Sequence, residues 1–152
     1  MKIAIMSDTH DNLATTKKVV DWLNKEKISL LLHCGDINSQ EAINEINNNF
    51  KGEVKFAKGN ADMGLDIPEK DEIKIDNRKI AFCHFKEPAI KLCESGKYDI
   101  VFYGHTHKPW EEKINNCRMI NPGEMAGQFT KATFAIFDTQ TEELQLKIVE
   151  RL

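Results

Sequence analysis

The sequence predicts an α/β protein in which two sheets pack face to face with helices on the outside. Three observations carry that expectation. The first sixty residues alternate apolar, strand-like runs with amphipathic helical segments, a β-α-β-α-β succession that calls for parallel strands and right-handed crossovers. The second half changes character, with short strands joined by tight-turn pairs such as Asp76-Asn77. No linker, repeat or low-complexity stretch divides the 152 residues, so residues 1–152 read as a single domain.

Lys2–Met6 is a buried strand. Asp11-Asn12 then offers cap-type side chains for a helix from Leu13 to Glu26, in which Leu13, Val19, Val20 and Leu23, with Trp22, follow helical spacing. Ile28–His33 is the next strand and runs into Cys34-Gly35-Asp36. Ser39 caps a second helix, Gln40 to Asn48, with Ala42, Ile43 and Ile46 inward and Asn47-Asn48-Asn49 ending it. Val54–Ala57 is a third strand, ending at Gly59-Asn60. Asp71–Ile75 and Arg78–His84 flank the Asp76-Asn77 turn. A short helix spans Pro88 to Ser95, with Pro near its start and Gly96 just past its end, the usual asymmetry. Ile100–Tyr103 is a strand leading into Gly104. Glu111–Ile114 and Arg118–Ile120 bracket Asn115-Asn116, and Lys131–Asp138 with Leu144–Glu150 form a closing hairpin.

Composition narrows the functional classes. The apolar fraction of 41% and charged fraction of 30% belong to a soluble globular chain, and a domain of this length buries roughly 68–70% of its unfolded surface. A net charge of −3 gives no global attraction to nucleic acid or an anionic membrane. No basic stripe interleaved with aromatics is present either, so stable nucleic-acid binding is not expected. The apolar start is shorter than the ~7–15 residues of a signal-peptide core, and no run approaches the ~18 of a membrane span; a cytoplasmic protein is expected. Cys34, Cys83, Cys93 and Cys117 lack any C-x-x-C spacing and read as four buried, reduced thiols.

Chemistry concentrates at strand ends, where an α/β sheet presents its ligand-binding groups. Asp8 and His10 follow the first strand at i and i+2, a spacing that points both side chains one way along an extended chain. Asp36 follows Gly35, whose missing side chain allows close backbone approach, and a carboxylate there can give one oxygen to each of two cations. Asn60 follows Gly59 and offers a neutral carbonyl oxygen; His84 ends the apolar run Ile80-Ala81-Phe82-Cys83; His105 and His107 flank Thr106 after Gly104. Taken singly, each has an ordinary explanation: a helix cap, a turn dipeptide, a packed core histidine. Jointly they do not, because four of only five histidines fall at strand ends beside Asp8, Asp36 and Asn60. Oxygen and imidazole ligands suit one or two transition-metal ions. Mn²⁺ is the favoured metal, with Zn²⁺, Fe and Ni²⁺ as alternatives.

The ordered set Asp8-x-His10, Gly35-Asp36, Gly59-Asn60, His84 and Gly104-His105-x-His107 resembles the calcineurin-like metallophosphoesterase superfamily. With Gly59-Asn60-Ala61-Asp62 and Asn121-Pro122-Gly123, it is similar to the small, uncapped bacterial and archaeal phosphodiesterase branch. The resemblance implies a four-layer α/β/β/α sandwich of two mixed sheets with two metals at one edge. It implies that Asp8, His10, Asp36 and His107 hold the first ion, that Asp36 bridges, and that Asn60, His84 and His105 complete the second. Asp36, Asn60 and His84 are then the residues nearest the chemistry, and a hydroxide between the ions is the nucleophile. Two cations about 3.5–4 Å apart acidify that water, neutralise the phosphoryl oxygens and hold phosphorus for in-line attack.

Several positions depart from the family pattern. Ala61 stands where many members carry a histidine, which predicts a preference for leaving groups that depart without a proton donor. Phe85-Lys86 replaces the usual Gly-His after His84; Phe85 can wall the site or stack on a substrate ring, and Lys86 can meet a phosphate or stay in solvent. Glu124 follows Asn121-Pro122-Gly123 in place of a small hydroxyl residue; inward it would repel an anion, so it is expected either to point outward or to mark a difference in substrate. His33 lies outside the ligand set and is either a loop brace or a packed strand-end residue; Asn121 either orients a ligand or closes a turn. The expected substrate is a small phosphodiester. A phosphomonoesterase is the alternative within enzymes, disfavoured because Arg78, Arg118 and Arg151 all fall outside the motifs. A protein-binding scaffold, like the retromer subunit of the superfamily, is the alternative outside them, disfavoured because all seven ligands are present. A homo-oligomer is compatible with exposed apolar residues such as Trp110 and Phe129.

Overall fold

Ten strands and three helices follow the predicted order, in a computed structural model that describes residues 1–152. The strands are β1 (Lys2–Met6), β2 (Leu30–His33), β3 (Glu53–Phe56), β4 (Lys70–Ile75), β5 (Arg78–Cys83), β6 (Ile100–Phe102), β7 (Trp110–Ile114), β8 (Cys117–Asn121), β9 (Thr133–Asp138) and β10 (Leu144–Ile148). The helices are α1 (Leu13–Lys25), α2 (Gln40–Asn49) and α3 (Lys86–Glu94). One sheet has the order β10-β9-β1-β2-β3 and the other β4-β5-β6-β8-β7. Within the first, β1, β2 and β3 are parallel; within the second, β5, β6 and β8 are parallel. Both sheets are mixed, because hairpins supply the antiparallel partners.

Local chemistry explains where the elements start and stop. Asn12 caps α1, its side chain accepting from Thr15 N–H at 3.1 Å, and Ser39 caps α2 through Ala42 N–H, also at 3.1 Å. The two-residue turn Asp76-Asn77 has both residues at positive φ, 49° and 63°, the backbone of a hairpin turn whose twist matches its strands. Helix α3 begins two residues before Pro88. Proline is harmless there, because the first-turn N–H groups of a helix have no internal partner. The last strand ends at Ile148 rather than Glu150: a 3-10 turn over Val149–Arg151 rolls Val149 into the core beside α1.

Alternation puts one face of each sheet into a shared core of Ile3, Ile5, Leu32, Ile80, Phe82, Phe102 and Phe137 among others. The opposite face of the first sheet is covered by Val19, Val20 and Leu23 of α1 and Ile46 of α2, and that of the second by Ala89 and Cys93 of α3. The result is four layers, α/β/β/α. One expectation fails. Cys93 and Cys117 are joined as a disulfide, not separate thiols, because α3 lies across the start of β8 with the two Cα atoms 5.3 Å apart. Their separation of 24 residues carries no motif. Cys34 and Cys83 are free and buried.

His33, at the end of β2, is a loop brace. It is fully buried, its Nδ1 accepts from Gly35 N–H at 3.1 Å, and Nε2 meets Thr9 Oγ1 at 3.1 Å. Burial holds its pKa down to about 4, against the pull of Asp62 and Asp8. The unfolded chain therefore takes up a proton below pH ~6.5 that the folded chain refuses until about 4. Stability from this residue is complete above the unfolded value and is lost as pH falls through that window, by about 3 kcal/mol in full. Denaturant unfolding from pH 7 to pH 4.5 should show a shallower decline in His33→Asn than in the native chain; parallel declines would contradict the assignment.

Candidate metal centre

All seven predicted ligands sit in loops that leave the carboxy ends of parallel strands. Asp8 and His10 follow β1, Asp36 follows β2, Asn60 follows β3, His84 follows β5, and His105 and His107 follow β6. The two sheets bring these ends together along one edge. Donor atoms of Asp8, His10 and His107 lie within 4.8 Å of one another, as do those of Asp36, His84 and His105. Asn60 Oδ1 joins the second group, 3.0 Å from both His84 Nε2 and His105 Nδ1. Asp36 Oδ2 links the groups, 3.4 Å from His84 Nε2 and 3.7 Å from His10 Nε2. Its Oδ1 accepts from Ala61 N–H at 2.8 Å, so one oxygen faces both halves, in place of the expected one oxygen for each.

The convergence has a different origin from the one the spacing suggested. Asp8, His10, Asp36, His105 and His107 have φ of 54°, 42°, 58°, 65° and 62°, a left-handed backbone rather than an extended one. Each costs about 1–3 kcal/mol unless its surroundings fix it. Here the first two loops zip together: Asp8 N–H donates to Gly35 O, His10 N–H to Asp36 O and Asp11 N–H to Ile37 O, at 2.9, 3.0 and 3.2 Å. Asp62, fully buried, accepts from the N–H groups of Asp36, Ile37, Asn38 and Gly59 at 2.7–2.8 Å. Gly104 is required by close approach, since a Cβ there would stand 1.9 Å from Ser7 Oγ and 2.7 Å from Asp8 Oδ2. Asn121 closes its turn through Gly123 N–H and braces Gly104 O and Thr106 Oγ1.

These residues fit divalent cations. Asp8 Oδ1 is the one buried side-chain polar atom without a hydrogen-bond partner, a costly condition for a carboxylate. It lies 3.2 Å from His107 Nε2 and 3.7 Å from His10 Nε2. The far nitrogens of three rings are committed elsewhere: His84 Nδ1 to Cys34 O at 2.8 Å, His107 Nδ1 to Glu124 Oε2 at 2.9 Å, and His10 Nδ1 to Asn38 Oδ1 at 3.1 Å. Each of those acceptors places a proton on Nδ1 and leaves Nε2 with its lone pair facing the carboxylates, as metal-binding imidazoles are normally oriented. The carboxylates also act on the rings electrostatically. The Asp8 carboxylate beside it, with Asp36, outweighs burial in raising the His10 pKa. Burial would lower that of His84, yet Asp36 and Asp8 raise it. Burial likewise opposes the ionised Asp36 carboxyl, which His84 and the Ala61 N–H hold low.

Glu124 does not point outward. Its side chain is fully buried, accepting from the N–H groups of Phe129 at 2.7 Å and Gln128 at 3.2 Å, and from Thr130 N–H, as well as from His107. Burial works to raise its pKa, but the Thr130 and Phe129 N–H groups, followed by His107, hold it below the ordinary value. The feared repulsion of an anion is thereby spent on backbone donors and an imidazole. Lys86 pairs with Glu112 at 3.5 Å. Phe85 stands against His84 and His105 with ring centroids 4.9 and 5.0 Å away. Sequence reading missed the inward role of Glu124 and the bracing by Asn38 and Asp62; the only signal available was Asp62 within Gly59-Asn60-Ala61-Asp62. Glu124→Gln would turn an amide toward His107 Nδ1 and weaken its commitment to the Nδ1–H tautomer. Calorimetric titration should show metal affinity reduced about 10–100-fold with the fold retained; unchanged affinity would reduce Glu124 to a loop anchor.

Comparison with known proteins agrees with this geometry. The profile of the calcineurin-like phosphoesterase superfamily domain matches residues 1–142. Phosphodiesterase MJ0936 of Methanocaldococcus jannaschii is 34% identical over 167 aligned residues, covering 99% of this chain and all of that protein. The structure of an archaeal phosphodiesterase superposes with a TM-score of 0.87 at 32% identity, covering 97% of this chain and 99% of the other. Vps29 of Entamoeba histolytica, solved with Zn²⁺, shares the fold at a TM-score of 0.77 and 23% identity over 96% of this chain and 90% of its own. With its four-layer sandwich, sequence profile and full-length relative in agreement, the chain belongs to the calcineurin-like phosphoesterase superfamily.

Proposed function

We propose that this chain is a metal-dependent phosphodiesterase whose two ions are held by Asp8, His10, Asp36 and His107 on one side and by Asp36, Asn60, His84 and His105 on the other. The observation that carries the reading is the orphaned Asp8 Oδ1 facing two imidazole nitrogens beside a second, similarly built group. A relative named as a phosphodiesterase, 34% identical along the whole chain, supports the ester class. When bound, divalent cations supply Lewis acidity that lowers the pKa of a water and neutralises the phosphoryl oxygens. The chain's own part is positioning. Asp36 Oδ2 faces both groups, its Oδ1 tied to the Ala61 N–H, so the carboxylate cannot swing away.

The proton inventory favours esters with good leaving groups. Ala61 carries no titratable side chain, and three of the four site imidazoles have their second nitrogen committed to Cys34, Glu124 or Asn38. A leaving alkoxide therefore finds few free protons on the protein. Arg78 pairs with Glu142 and Arg118 with Glu111, so neither is available as a bidentate clamp for a monoester dianion. The intact ligand set argues for catalysis over a scaffold role. Mn²⁺ as the native metal belongs to the same proposal. So does a cytoplasmic setting; no helix is long and apolar enough to cross a membrane.

Turnover of an aryl phosphodiester and its monoester across a panel of divalent metals tests this reading. The diester should be hydrolysed faster, only with metal present, and Asp36→Ala should lose at least about 10²-fold, as expected on disrupting a two-ion centre. Metal-independent turnover, or full activity in Asp36→Ala, would contradict it.

A further inference from the structure

Two of the eight phenylalanines in this chain are exposed, and both stand against imidazoles of the metal centre. Phe85, 38% exposed, lies beside the group containing His84 and His105. Phe129, 79% exposed, lies beside the other group, 5.3 Å from the His107 ring. The remaining phenylalanines are buried or half-buried. Neither exposed ring stacks in parallel on its imidazole; the interplanar angles are 81° and 59° for Phe85 and 65° for Phe129.

Both rings are mounted on fixed backbone. Phe85 is the residue before α3, and its carbonyl accepts from Ala89 N–H at 3.2 Å. Phe129 has its N–H on the buried Glu124 carboxylate that also holds His107, so one side chain sets the position of both a ring and a ligand. Beside Phe85 opens a cavity of about 230 Å³ lined by Lys58, Lys70, His84, Pro88 and Glu69. That is smaller than the ~300–1,000 Å³ of a drug-sized pocket and suits one ring system.

We propose that Phe85 and Phe129 determine specificity by taking the two ester arms, so that the substrate is a phosphodiester with a planar ring on each side, of the dinucleotide type. The inference rests on the phosphodiesterase reading and adds the substrate class. A diester phosphorus at the centre sends one arm toward each half, and each half has one exposed ring to receive it. A monoester has one arm and leaves the second ring unused. Base–aromatic stacking tolerates any base because every base offers a π face, so the rings select for planarity rather than for a base identity.

The test compares a dinucleoside monophosphate with a nucleoside methyl phosphate, which keeps one ring and the diester charge, on the full chain with Mn²⁺. The native protein should prefer the two-ring diester in kcat/KM. Phe85→Leu and Phe129→Leu, which keep apolar volume but remove the ring, should each lower that preference roughly tenfold, the scale of one base–aromatic stack. Phe85→Trp and Phe129→Trp should preserve it. A native ratio near one, or a ratio unchanged in both leucine variants, would overturn the assignment and return the rings to a protein-facing or incidental role. Absence of any metal-dependent diester turnover by the native chain would overturn the phosphodiesterase reading itself, a result distinct from turnover without ring preference.

Discussion

Two carboxylates buried side by side set the terms for the rest of this structure. Asp8 and Asp36 are 0% and 2% exposed at the ends of adjacent parallel strands, where unpaired negative charge is expensive. The protein answers with backbone donors for part of the charge, His105 N–H to Asp8 Oδ2 and Ala61 N–H to Asp36 Oδ1. It leaves one oxygen of each facing imidazole nitrogens. Such an arrangement suits divalent cations, and the left-handed loops, the glycines that let them meet and the carboxylate Asp62 hold it together.

The architecture follows from that requirement. Candidate ligands from five separate loops can share one edge only if the strands before them run the same way, and β1, β2 and β3 in one sheet and β5 and β6 in the other do so. The shared core of Ile5, Leu32, Phe82 and Phe102 fixes the distance between the sheets. The hairpins at the outer edges, β7 with β8 and β9 with β10, carry no ligands; β8 nonetheless delivers Asn121 and, three residues on, Glu124 to brace the loop bearing His105 and His107.

Much of this was legible because the signals were local. Strand-ending apolar runs, the caps Asn12 and Ser39, and the Asp76-Asn77 turn each depend on residues a few positions apart. The candidate ligands were legible because polar metal-binding types at successive strand ends are improbable by chance. What was not legible depends on contacts across the fold. The i, i+2 pairs converge through left-handed kinks that alternation cannot signal. Cys93 meets Cys117 only because α3 crosses β8. Glu124 turns inward because the N–H groups of residues 128–130 and the His107 ring surround it, a set of partners that no spacing encodes.

The most direct test of the dinuclear centre is anomalous diffraction from crystals grown with Mn²⁺, recorded at the manganese edge. Two peaks are expected, one among Asp8, His10 and His107 and one among Asn60, His84 and His105, with Asp36 between them. A single peak outside these groups, or none with the seven side chains still converged, would contradict the account.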